Sequence, residues 1–161
     1  MRSFMVLLLG FGLFFGGCSN KEGIKEVEAY KAEDVSFEDE TGRVTILFED
    51  PFIDEGEITD GIFNVIVLAK GLDPTANYDI SLRGDNNQGV NFGPKENVEL
   101  RFGTIVGETL FQPNQQGELF VSMKNPLRII SKAKEIRVIV SEDGKEVLRT
   151  EPFKVSKKTP Q

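Results

Sequence analysis

From Val44 onward the apolar residues of this chain recur at every second position, and that period restricts what it can fold into. Val44, Ile46 and Phe48 alternate with Arg43, Thr45 and Glu49, interrupted only by Leu47. Phe63, Val65 and Val67 share one face of the next run, whose other face carries Ile62, Ile66 and Leu68. That two-sided pattern predicts a central, well-buried strand. The alternation returns in Tyr78, Ile80 and Leu82, in Val98, Leu100 and Phe102, in Leu119, Val121 and Met123, and in Ile136, Val138 and Val140. A last pair, Val147-Leu148 and Phe153 with Val155, is broken by Pro152, which suits an edge strand or a bulge. Strand side chains point alternately to two faces, whereas a helix repeats about every 3.6 residues, so helical folds are excluded.

Turn chemistry separates the runs. Glu40-Thr41-Gly42, Gly71-Leu72-Asp73-Pro74, Asp85-Asn86-Asn87, Pro113 to Gly117 and Glu142-Asp143-Gly144-Lys145 all carry the small or polar residues that turns require. Asp143-Gly144 between two strand runs predicts a tight hairpin, because Gly takes positive φ without steric cost. Only Asn125-Pro126 through Lys134 has room for a helical turn between strands. The expectation is an all-β chain with one antiparallel β-sandwich of about seven to eight strands over residues 35–156, a barrel being the alternative.

Leu72-Asp73-Pro74-Thr75-Ala76-Asn77-Tyr78 resembles the Leu-x-Pro-x-x-x-Tyr turn of fibronectin type III and related immunoglobulin-like domains. The resemblance implies an immunoglobulin-like sandwich in which Tyr78 folds back to hydrogen-bond a nearby backbone group at a sheet corner, with Leu72 packed beneath it. The family's tryptophan is missing, since this chain has none. Gly71-Leu72 followed by Gly84-Asp85-Asn86 is also similar to a stretch of copper-zinc superoxide dismutases that flanks a histidine-bearing strand. Here that strand reads Tyr78-Asp79-Ile80-Ser81-Leu82-Arg83, with every copper ligand absent.

The N-terminus gives an address. Arg2 is followed by an apolar run from Phe4 to Phe15, then by Gly16, Gly17 and Cys18. Such a run spans only about 18 Å as a helix, short of the roughly 30 Å hydrocarbon core of a bilayer, so it reads as an export signal. Phe14-Phe15-Gly16-Gly17-Cys18 resembles the lipobox of bacterial lipoproteins, with Phe15 where Leu is usual. The resemblance implies cleavage after residue 17, a lipid on the thiol of Cys18 and attachment to the cell membrane at its extracytoplasmic face. An ordinary secretory signal beside a coincidental cysteine is the alternative. Two acyl chains give stable anchoring where one is marginal. Residues 18–34 read as the lipidated cysteine and a charged tether (a displaced first strand being the alternative), and residues 157–161 as a tail.

Charge and residue types then exclude several functions. Residues 21–60 carry 14 acidic and 4 basic side chains, and residues 61–161 carry 12 and 14. Nucleic-acid binding through general basic charge is excluded on this balance. The chain has no histidine and a single cysteine, so Ser-His-Asp and Cys-His catalysis, zinc held by His and Cys, and an intrachain disulfide are all excluded. No cofactor is implied. The expectation is a non-enzymatic, membrane-tethered module that binds another envelope component, with a protein as its partner.

Two clusters are the candidate interaction surface. One is acidic, Asp50, Asp54, Glu55, Glu57 and Asp60; the other is basic, Lys124, Arg128, Lys132, Lys134 and Arg137. The basic group meets an external polyanion or acidic protein, faces the chain's own acidic third, or is simply solvated. The alternative function is a small-ligand or calcium module using the acidic turns near Asp54 or Asp85. A carboxylate-based hydrolase stands third.

Overall fold

Alternation places the side chains as the sequence requires. In β3 (Gly42–Phe48), Val44, Ile46 and Phe48 are buried while Arg43 is exposed. In β6 (Ile62–Ala69), Phe63, Val65, Val67 and Ala69 are buried. β12 (Leu119–Pro126) and β13 (Ile136–Glu142) bury alternate residues in the same way, and β7 (Tyr78–Gly84) buries Tyr78, Ile80 and Leu82 with Ser81 between them buried as well. The computed structural model describes residues 23–28, 31–49, 52–54, 57–93, 97–130 and 132–156. Cys18, the signal segment and the tail after residue 156 lie outside the described residues.

The protein is all-β, with two sheets packed as a sandwich. One sheet runs β2 (Glu33–Ser36), β3, β6, β12 and β9 (Val98–Phe102), every neighbour antiparallel. The other runs β1 (Lys25–Glu28), β15 (Phe153–Ser156), β13, β7, β11 (Leu110–Gln112) and β10 (Thr104–Ile105). To it β14 (Lys145–Arg149) adds beside β13, and β8 (Gly89–Asn91) beside β7. β4 (Phe52–Asp54) and β5 (Glu57–Asp60) form a separate hairpin, and a 3₁₀ turn, Leu127–Ile130, precedes β13. The inward side chains of β3, β6, β12 and β9 and those of β15, β13 and β7 share one hydrophobic core.

The strands outnumber the expectation because short segments along the edges pair separately. Fifteen appear among the described residues. Two of them correct the reading of residues 18–34 as a tether. β1 pairs in parallel with β15, placing Val27 fully inside, and β2 pairs with β3, burying Val35. The displaced first strand is therefore the arrangement observed. Alternation hid it because a single apolar residue per short strand carries no period.

Six phenylalanines (Phe37, Phe48, Phe63, Phe92, Phe111 and Phe153) are at most 1% exposed and belong to the hydrophobic core. The corner between β6 and β7 is held as its motif implies. Tyr78 and Leu72 are buried, and the Asp73 amide donates to the Tyr78 hydroxyl at 2.9 Å. Its position differs from the immunoglobulin pattern: it joins the second and third principal strands, not the E and F strands. Asp143 and Gly144, at φ 49° and 76°, make the hairpin turn between β13 and β14.

Candidate functional site

The parity that buries Leu119, Val121 and Met123 turns Phe120, Ser122 and Lys124 to the outer face of the five-stranded sheet. Register then aligns side chains across that face. Arg43 stands opposite Leu68, Leu68 opposite Phe120, and Phe120 opposite Phe102. The next rung holds Thr45, Ile66, Ser122 and Glu99. Neighbouring strands lie about 4.8 Å apart, so Leu68, Phe120 and Phe102 form a continuous apolar strip with an arginine at one end. Ile62, Ile66 and Leu68 are thus not buried as the two-sided pattern predicted; β6 is central in its sheet, but its outer face has no covering layer among the described residues.

Phe102 reaches this strip through a bulge. The register of β9 against β12 slips between Phe120 and Val121, so Leu100 opposes Val121 while Phe102 opposes Phe120. Arg101 is the extra residue. Simple alternation would have placed Phe102 inward beside Leu100; the slip leaves it 46% exposed. Its ring meets Phe120 edge to face, with centroids 6.0 Å apart and planes at 81°. The Arg101 guanidinium lies 5.2 Å from the Phe120 centroid. A cation over an exposed ring contributes about 0.5–1 kcal/mol and fixes its orientation.

Immediately after, Gly103 adopts φ 98° and carries the chain across to β10 in the other sheet. A Cβ there would lie 2.5 Å from the Gln112 carbonyl oxygen and 2.8 Å from Leu119 Cδ1, so no side chain fits. Val106 and Leu110, on the β10–β11 turn, extend the exposed apolar surface of this flank at 44% and 38% exposure. At the opposite end of the strip an open depression of about 490 Å³ is lined by Glu40, Thr41, Arg43, Leu68 and Lys70.

The clusters singled out in the sequence are placed differently. Asp50 and Glu55 lie outside the described residues. Asp54 and Glu57 are register partners in the β4–β5 hairpin, and Asp60 pairs with Phe52. β5 runs beside the 3₁₀ turn that carries Arg128, so the acidic and basic segments are neighbours. The basic residues nevertheless do not form one patch. Lys124, on the five-stranded sheet, reaches Glu49 at 2.5 Å, whereas Arg137, on the other sheet, reaches Glu38 at 2.7 Å and the Thr150 carbonyl at 3.1 Å. Lys132 sits in a left-handed loop conformation at φ 66°, and the Lys134 amide donates to Asp85 Oδ1 at 2.9 Å. Lys124 and Arg137 thus face the chain's own acidic third.

The turn from Asp85 to Gly89 is organised around itself. Asp85 Oδ1 accepts the Lys134 amide, Asn86 Oδ1 accepts the Gln88 amide at 3.2 Å, and the Gly84 amide donates to the Gln88 carbonyl at 2.8 Å. Among the described residues no three His, Cys, Asp or Glu side chains are grouped to hold a metal ion. Among the described residues the two carboxyls with displaced pKa values both move down. Hydrogen bonds from Arg149, then Arg137, hold Glu38 below the ordinary range, and the Thr75 amide and hydroxyl do the same for Asp73. A general acid at neutral pH needs the opposite displacement.

No family model, curated protein or solved structure matches this chain.

Sequence reasoning missed both rings: the alternation put Phe102 in phase with Val98 and Leu100, and it passed over Phe120. A signal existed for Phe120: between Leu119 and Val121 it is out of phase with the inward positions. Phe102 offered none beyond the adjacent Gly103, because its outward turn depends on pairing with β12.

Proposed function

We propose that this protein is a lipid-anchored, extracytoplasmic, non-enzymatic binding module. In this reading residues 1–17 are the cleaved export signal and Cys18 carries the lipid. The sandwich then holds another envelope protein on the outer face of its five-stranded sheet. The observation that carries the reading is the strip Leu68, Phe120 and Phe102, with Phe120 pinned beneath Arg101 on a face that has no covering layer among the described residues. Contiguous apolar surface rimmed by charge marks protein contact surfaces, and aromatic rings with arginine carry much of the binding energy at such surfaces. The matching partner presents an apolar patch with carboxylates placed to meet Arg43 and Arg101. The absence of histidine and the lowered carboxyls of Glu38 and Asp73 support a binding role over an acid–base one.

The test is photocrosslinking in living cells with a reactive residue at Leu68, at the Arg43 end of the strip, and at Val147 on the other sheet as control. One envelope protein captured from Leu68 and not from Val147 is expected. The same diffuse neighbours from both positions would discard the reading. Cys18→Ala in the same strain should leave uncleaved precursor without lipid label and lose the capture.

A further inference from the structure

We infer that β9 pairs with β9 of a second copy, antiparallel and centred on Leu100, joining two five-stranded sheets into one. β9 ends its sheet among the described residues, so its outer edge presents unpaired amides and carbonyls. A two-fold axis perpendicular to the sheet keeps each face on its own side. Residues directly opposed across it must therefore lie an even number of positions apart. In Glu99-Leu100-Arg101, an axis at Leu100 sets Glu99 against Arg101 of the second copy and Arg101 against its Glu99, while Val98 stays on the inner face and Phe102, turned outward by the bulge, does not meet it. Two opposite-charge pairs on the outer face result from one strand meeting itself. Glu99 and Arg101 are both exposed, and Leu100 is only partly buried. Arg101 projects to the outer face, where it lies over Phe120, and Glu99 shares that face opposite Ser122.

Two other terminal strands lack this self-complementarity. An axis at Val27 in β1 sets Glu26 against Glu28, and one at Asp34 in β2 sets that carboxylate against itself. Glu26 is moreover already paired with Lys154 at 2.8 Å, and Asp34 with Thr45 at 2.6 Å. An isologous contact of this kind closes after two copies. It places the two Phe102–Phe120 pairs side by side on one surface and gives the assembly two membrane anchors. The pairing rests on the edge of β9 alone and stands whether or not the outer face binds a partner.

Sedimentation velocity of the full-length protein in detergent tests it, using wild type, E99R, R101E and the double variant E99R/R101E. Wild type should dimerise. Each single reversal sets like charges opposite each other twice and should weaken the dimer about tenfold. The double reversal restores opposite charges and should recover wild-type affinity, even though it keeps Phe120 without its arginine. Thermal unfolding of each variant separates loss of pairing from loss of fold. A monomer at every concentration, a dimer indifferent to all three variants, or single-variant losses that the double does not restore would each overturn the inference.

Discussion

The two flanks of the sandwich are finished in opposite ways. On the flank where the chain enters, β1 and β2 are laced with charge. Lys154 meets Glu26 at 2.8 Å, Lys31 meets Glu33 at 2.9 Å, the Lys25 ammonium donates to the Asp34 carbonyl, and Asp34 accepts from Thr45 and Arg43. Glu38 lies between Arg137 and Arg149 at 2.7 and 2.6 Å. On the flank of β9, β10 and β11, the exposed side chains include Phe102, Val106 and Leu110, Arg101 lies over Phe120, and Gln112 Nε2 donates to the Pro74 carbonyl at 3.1 Å. Open sheet edges invite pairing, and proteins blunt them with charge, short strands and bulges. The first flank is blunted by charge. The second keeps a bulge and its own Glu99 and Arg101, arranged to admit one particular strand.

The sharpest way to break this contrast is to make the same substitution on each side. Phe37 is 1% exposed and its backbone bridges to Thr150, tying the first flank to the other sheet. Phe37→Ala should cost about 3–5 kcal/mol, by lost burial and the cavity left behind. Phe102→Ala, removing a ring that is 46% exposed, should cost less than about 1 kcal/mol. Urea midpoints of the two variants check this. Equal costs would mean that Phe102 is core and the flank is not a surface.

The sequence made the fold legible wherever a strand carried three alternating apolar residues, as β3, β6, β12 and β13 do. The hairpin at Asp143-Gly144 and the tyrosine corner were legible because backbone geometry there needs particular residue types. β1 and β2 were not, since Val27 and Val35 stand alone among charges and acquire meaning only against β15 and β3. The candidate site was hidden for a related reason. Register with β12, and not spacing within β9, decides that Phe102 faces outward. The basic residues near in sequence, Lys124 and Arg137, separate because the chain crosses from one sheet to the other between them.

The corner between β6 and β7 offers a smaller effect, since one hydrogen bond is changed and the packing kept. Tyr78→Phe removes the acceptor of the Asp73 amide in a part-buried setting, at about 1–2 kcal/mol. Faster hydrogen exchange at that amide, with the Thr75 amide still protected by Asp73 Oδ1 at 2.8 Å, would localise the loss to the corner. Unchanged stability would show that water replaces the hydroxyl without penalty.

The smallest effect separates the flanks by pH. The Glu38 carboxyl is held below its ordinary value of 4.5 by hydrogen bonds from Arg149 and Arg137, so in acid the unfolded chain takes up its proton before the folded one does. Its contribution is complete above the unfolded pKa and disappears as pH falls through the lowered folded pKa. The three side chains are about a third to a half exposed, and solvent screening limits the contribution to about 0.5–1 kcal/mol. Glu38→Gln should therefore be less stable than wild type by that amount at neutral pH. The two curves should converge in acid. Phe102→Ser on the opposite flank changes no titrating group, and its stability curve should run parallel to wild type throughout. A Glu38→Gln deficit that persists unchanged below the ordinary carboxyl range would mean that the side chain acts on the first flank through its shape and neutral hydrogen bonds. The contrast between a charged flank and an apolar one would then have to rest on β1 and β2 alone.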